Sequence, residues 1–139
     1  MVDLEKIRDL LAHLDELLPL LEETRAEGAA RFLASKRVQH QTEREVQLAV
    51  QVCIDAGAHL VAQLGLGAPG DYRDVFLRLA QAGVISRELA ERLGEAARMR
   101  NLLVHGYRGL RAERIFAALD DLDDLRAFAH AAMTAAEHD

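Results

Sequence analysis

The apolar positions of this chain recur every three or four residues over most of its length, the spacing of one face of an α-helix. Leu4, Ile7, Leu11, Leu14, Leu18 and Leu21 form one stripe, predicting a first helix from about Asp3 into the low twenties. Pro19 lies inside that stripe. Its missing amide hydrogen and its ring, which crowds the carbonyl one turn back, are expected to kink or divide the helix there. Gly28 marks a weak point after it. A second, longer helix is predicted from near Ser35 to about Gln63, with Val38, Thr42, Val46, Ala49, Cys53, Ala56 and Leu60 inward. GLGAPGD, Gly65 to Asp71, is the clearest break in the chain. Asp71 can cap a third, short helix that Gly83 ends, and Ser86 can cap a fourth running to about Val104, where Gly106 stops it. A fifth spans roughly Arg111 to Ala135, with Ile115, Leu119, Leu122, Leu125 and Phe128 inward. No segment shows sustained strand-like alternation. The expectation is an all-α antiparallel bundle of about five helices forming a single domain over residues 1–139, with the short third helix packed across one end.

Composition narrows this picture. A chain of 139 residues, 50% hydrophobic and 29% charged, is expected to fold around one core rather than remain disordered. No apolar run approaches the roughly 18–20 residues of a membrane span. The first residues, MVDLEKIRDLL, are acidic and amphipathic, unlike a secretory or transit peptide, so a cytoplasmic protein with no membrane association is expected. The lone cysteine, Cys53, excludes an internal disulfide and reads as a small core residue. His13, His40, His59, His130 and His138 are scattered without metal-ligand spacing, so neither a metal nor a cofactor is expected. The glycine segment lacks both the lysine and the preceding strand of a nucleotide-binding loop.

The net charge of −6 argues against a nucleic-acid binder, but its distribution does not. Residues 1–27 carry eight acids against three bases, and residues 115–139 six against one. Between them, residues 98–114 hold five arginines (Arg98, Arg100, Arg108, Arg111 and Arg114) against Glu113 alone. A local basic patch on an acidic molecule can hold a phosphate at one place while resisting general coating by nucleic acid. A solvated run of charge would read the same way.

One arginine of that patch breaks a local rule. Leu89, Leu93, Ala96, Arg100, Leu103 and Tyr107 make a single apolar seam of the fourth helix, and Arg100 sits in the middle of it. A buried cation needs a carboxylate, a phosphate or carbonyl groups. A structural ion pair to Asp55 or Glu43 on the long helix would satisfy it; so would a bound phosphate. His105 lies at the helix end beside Gly106, where the macrodipole favours a protonated imidazole. Imidazole and guanidinium together are what metal-free RNA cleavage requires. A 2′-hydroxyl must lose a proton, the leaving 5′-oxygen must gain one, and the phosphorane needs a cation. Five residues separate Arg100 from His105, about 140° on an ideal helix, so the two converge only if the helix end bends or a second protomer completes the site.

The segment RNLLVHGY, Arg100 to Tyr107, resembles the hallmark of the HEPN superfamily, arginine, four to six residues, histidine, any residue, tyrosine. HQTEREVQLAVQVCIDAGAHLV, PGDYRDVFLRLAQAGVIS and ELAERLGEAARMRNLLVH extend the likeness to the HepT-like branch over most of the chain, from about Leu4 to Phe128. These are ribonuclease toxins paired with MNT-type nucleotidyltransferase antitoxins. The resemblance implies a helical homodimer whose two motifs face a shared cleft, and a metal-independent endoribonuclease in which Arg100 and His105 are the catalytic pair. It implies helper roles for Asn101 and Tyr107, with Tyr107 also the residue an antitoxin would AMPylate. Arg98, Arg108 and Arg111 would hold backbone phosphates, and Glu43, Arg44 and Asp55 match positions that accompany the site from the long helix. The alternative is a non-catalytic module that binds nucleotide or RNA and presents it to a partner nucleotidyltransferase, with His105 dispensable.

Overall fold

The computed structural model describes residues 3–105 and 110–138, and among these all regular structure is helical. Seven α-helices follow in order: α1 (Leu4–Glu27), α2 (Ala29–Ala34), α3 (Lys36–Gln63), α4 (Tyr72–Gln81), α5 (Arg87–His105), α6 (Ala112–Ala118) and α7 (Leu122–Glu137). The helix starts are fixed by side chains that the sequence offers for the purpose. Asp3, Ser35, Asp71 and Ser86 accept the amide hydrogens of Lys6, Val38, Asp74 and Leu89 at 2.8–3.2 Å, which satisfies donors that the first turn leaves open.

Three boundaries differ from the sequence expectation. Pro19 is accommodated inside α1, which continues unbroken to Glu27; Leu17, Leu18 and Leu21, all buried, hold the turns on either side of it against the core. A six-residue helix, α2, fills the link after Gly28 and buries Phe32, whose ring packs against Phe116 of α6 at 5.2 Å. The predicted fifth helix is two helices, α6 and α7, joined by a 3-10 turn over Leu119–Asp121. The reason is local: Asp120, Asp121, Asp123 and Asp124 crowd this stretch, and aspartate favours helix starts over helix interiors.

Helix α3 is the centre of the bundle, with α1, α4, α5 and α7 packed around it. Short connections fold the chain back on itself between α3 and α4 and again between α4 and α5. The core runs through all of these helices, from Ile7, Leu14 and Leu21 of α1 through Ala49, Cys53 and Leu60 of α3 to Phe76, Leu93 and Phe128. The edge-on contact of Phe76 with Phe128, centroids 5.6 Å apart, ties α4 to α7 across it. Helix α4 lies close on α5 because Gly94 has no side chain: a Cβ there would sit 3.0 Å from Cγ of Arg73. That close approach sets the first turn of α4 beside α5. No helix among the described residues is long and apolar enough to cross a membrane.

Candidate functional site

The seam of α5 behaves as its sequence suggests until its last turns. Leu89 and Leu93 are buried, while Ala96, Arg100 and Leu103 further along the seam are half-buried. No ion pair among the described residues includes Arg100. The structural pairing with Asp55 or Glu43 is not formed. Asp55 is exposed and accepts instead from the Gln51 side-chain amide at 2.7 Å, one turn away on its own helix; Glu43 is half-buried and Arg44 exposed, and neither bonds to Arg100.

Two other groups hold the guanidinium. Nη1 donates to Oδ1 of Asn101 at 3.0 Å, and the guanidinium carbon lies 5.5 Å from the ring centroid of Tyr72, the first residue of α4. The contact is of the cation–π kind. Nε of Arg100 is buried and makes no hydrogen bond. The result is a cation with its orientation set, its charge paired with no carboxylate among the described residues, and donor capacity left over. Such a group suits an incoming anion, and phosphate above all, because the guanidinium fork matches its oxygens.

His105 is the last residue of α5 and is exposed, with the C-terminal end of the helix dipole at its back. Because α5 stays helical through His105, the angular offset from Arg100 persists, and one helix does not turn both groups to the same point. Arg98 is exposed on α5, and Arg111 is exposed at the N-cap of α6. Neither joins an ion pair among the described residues, whereas Arg25, Arg78, Arg92 and Arg126 all do. Tyr107 and Arg108 lie outside the described residues, as does Gly106.

A cavity of about 320 Å3 opens beside the seam, between Val46 and Val50 of α3, Met99 of α5 and Leu125 of α7, with Arg114 at its rim. Arg100 is not among its walls. Arg114 shares this cavity with Arg92 and with the acidic side chains of Glu95, Asp121 and Asp124, so it does not join Arg100 there. Tyr72 escaped sequence reasoning altogether; its sole signal was an aromatic directly after a helix-capping aspartate. Cys53 is fully buried, which pushes its thiol up to about 12 and removes it as a nucleophile. Among the described residues no three histidine, cysteine or acidic side chains come together as a metal site.

Comparison with known proteins gives this geometry a context. The family described as "Ribonuclease HepT-like" matches residues 4–132. A tRNA nuclease HepT of Aphanizomenon flos-aquae is 31% identical over 88 residues, 63% of this chain and 60% of that protein. An mRNA nuclease HepT of Shewanella oneidensis is 32% identical over 84 residues, 60% of this chain and 63% of that protein. The chain therefore aligns with about three fifths of the length of these relatives. Among solved structures, a tri-AMPylated Shewanella oneidensis HEPN toxin in complex with its MNT antitoxin superposes with a TM-score of 0.84 at 26% identity, covering 94% of this chain and 97% of that one. A toxin–antitoxin complex with AMP-PNP gives 0.83 at 25% identity, covering 95% and 99%.

Proposed function

We propose that this chain, which belongs to the HepT-like ribonuclease family, is the toxin of a toxin–antitoxin pair and cleaves RNA without a metal ion, using the motif that begins at Arg100. The observation that carries the reading is the state of Arg100: half-buried, oriented by Asn101 and Tyr72, and paired with no carboxylate among the described residues. In the proposed reaction the ribose 2′-oxygen attacks the adjacent phosphorus and the bond to the 5′-oxygen breaks, leaving a 2′,3′-cyclic phosphate. Arg100 stabilises the charge that builds on the phosphorane. His105 handles the proton that leaves the 2′-hydroxyl or the one that the 5′-oxygen takes up. Asn101 fixes the guanidinium, and Arg98, Arg108 and Arg111 attract the neighbouring phosphates.

The angular offset of Arg100 and His105 along an unbroken helix supports a homodimer in which each protomer's histidine works with its partner's arginine. By analogy with the AMPylated Shewanella toxin, Tyr107 is the proposed target of an MNT-type nucleotidyltransferase antitoxin. A nucleotide there would set an anion among the arginines and block phosphate binding.

The test is cleavage of total cellular RNA by purified protein in excess EDTA, beside His105→Ala. Cleavage that persists in EDTA and disappears in the variant is the expected result. No cleavage by either protein, both folded, would replace this reading with the nucleotide-presenting module.

A further inference from the structure

Tyr72 is a large aromatic residue left 39% exposed, in a protein whose other large apolar side chains are mostly inside. Its backbone is fixed at the start of α4 by the Asp71 cap, whose carboxylate accepts the Asp74 amide at 2.8 Å. The close packing of Arg73 over Gly94 holds that turn against α5. The ring therefore has little freedom to lose when something binds to it. The guanidinium of Arg100 lies over the ring, at 5.5 Å from the centroid. An aromatic ring has two faces, and a cation occupies only one of them.

We infer that Tyr72 is a positioning residue for Arg100 and, through its other face, a stacking platform for an unpaired nucleobase next to the bound phosphate, so that the site takes single-stranded RNA. The inference rests on the reading of the chain as an RNA-cleaving protein. Its physical basis is the juxtaposition of a group suited to phosphate and a part-exposed aromatic ring, 5.5 Å apart. Proteins that hold single strands combine positive charge along the backbone with rings on which bases stack. A base paired inside an A-form duplex is stacked on both sides and has no face to give, so the platform selects loops and single strands. The Tyr72 contact also restricts the guanidinium to one orientation. Without it, the bond to Asn101 leaves Arg100 free to pivot.

Two arms test this. In the first, the affinity of a short fluorescent single-stranded RNA is measured in a His105→Ala background, with and without Tyr72→Leu, beside a blunt duplex of the same length. Tyr72→Leu is expected to weaken single-strand binding by roughly tenfold and duplex binding distinctly less, because the looser guanidinium is felt by both RNAs but the lost base–aromatic stack only by an unpaired base. Tyr72→Phe, which keeps the ring, is expected to recover most of the loss. In the second arm, steady-state cleavage is followed with an abasic nucleotide beside the scissile bond. The abasic substrate should raise KM for the wild type, and Tyr72→Leu should raise KM less on the abasic substrate than on the intact one, because the stack is then already lost. Equal single-strand binding by a folded Tyr72→Leu protein overturns the inference. So does a loss that the abasic substrate leaves undiminished, since the leucine variant would then act through structure. A wild type that binds but never cleaves defeats the catalytic reading, while the binding arm still decides the role of Tyr72.

Discussion

Arg78 of α4 and Arg100 of α5 are both part-buried arginines on helices packed against each other, and they are held in opposite ways. Arg78 gives Nε to the Asp74 carboxylate at 2.9 Å and Nη1 to the Leu66 carbonyl at 2.9 Å, so its charge and its donors are both committed. It clamps the loop between α3 and α4. Arg100 gives one bond to a neutral amide, rests on a ring, and leaves Nε without an acceptor. A structural arginine completes its own electrostatics within the fold. Arg100 is kept oriented and incomplete, which stabilises the fold less and suits it to bind an anion.

That contrast breaks most sharply at the proposed catalytic pair. Arg100→Ala or His105→Ala is expected to lower the cleavage rate by at least about a hundredfold, the usual scale for a lost proton-transfer or charge-stabilising group. The fold should survive both, because Arg100 forms no ion pair with a carboxylate among the described residues and His105 is exposed at the end of α5; circular dichroism and a thermal melt check this. An Arg100→Ala protein that unfolds would put Arg100 in the class of Arg78.

A subtler change turns one arginine into the other. Asn101→Asp places a carboxylate where Arg100 now meets an amide oxygen at 3.0 Å. Charge-assisted hydrogen bonds are about twice as strong as neutral ones, so cleavage is expected to fall on the order of tenfold while the melting temperature holds or rises. The comparison to make is RNA affinity in the variant against the wild type. Unchanged affinity would mean that the charge state of Arg100 is not what the substrate reads.

Much of this contrast was legible in the chain, and the rest was not, for physical reasons. Arg100 announced itself because a charge in an apolar seam is costly, and His105 because it stands at a helix end. The helix starts were readable because Asp3, Ser35, Asp71 and Ser86 carry the oxygen that a first turn needs. Tyr72 was not, since its meeting with Arg100 depends on how α4 crosses α5, and no local pattern encodes a crossing. The break between α6 and α7 was hidden because Ile115, Leu119, Leu122 and Leu125 keep their spacing through the 3-10 turn. Asp55 looked like a partner for Arg100 on residue type alone; its nearer neighbour Gln51, one turn back on the same helix, took the carboxylate first.

On the structural side of the comparison, the clamp around Arg78 is expected to break with a loss of stability and little loss of activity. Gly67 has φ +90°, and a Cβ there would fall 2.7 Å from Nη1 of Arg78. Gly67→Ala therefore imposes both a strained backbone and a displaced guanidinium, and should destabilise the protein by about 1–2 kcal/mol, the scale of a left-handed conformation in an L-residue. Urea unfolding measures it. Cleavage measured well below the melting temperature should stay near the wild-type rate, and a large loss would tie the loop to the active site.

The smallest expected effect is a dependence on acid at the same clamp. The Gly70 amide, which donates to Oδ2 of Asp74 at 2.9 Å, and then the Arg78 guanidinium hold the Asp74 carboxyl below its ordinary value of 3.8. A carboxyl whose pKa is lower in the folded state than in the unfolded one stabilises the fold above the unfolded value. That contribution is lost as the pH falls through 3.8 and on through the depressed folded value. Asp74→Asn removes the charge at every pH. The stability gap between wild type and variant, read from urea midpoints, should therefore be present at pH 7 and shrink below about pH 4. The pair is about a third open to solvent, so the gap is small and salt will reduce it further. A gap of equal size at pH 7 and pH 3 would show that Asp74 acts through its shape and hydrogen bonds alone, and that Arg78 is held by something other than charge.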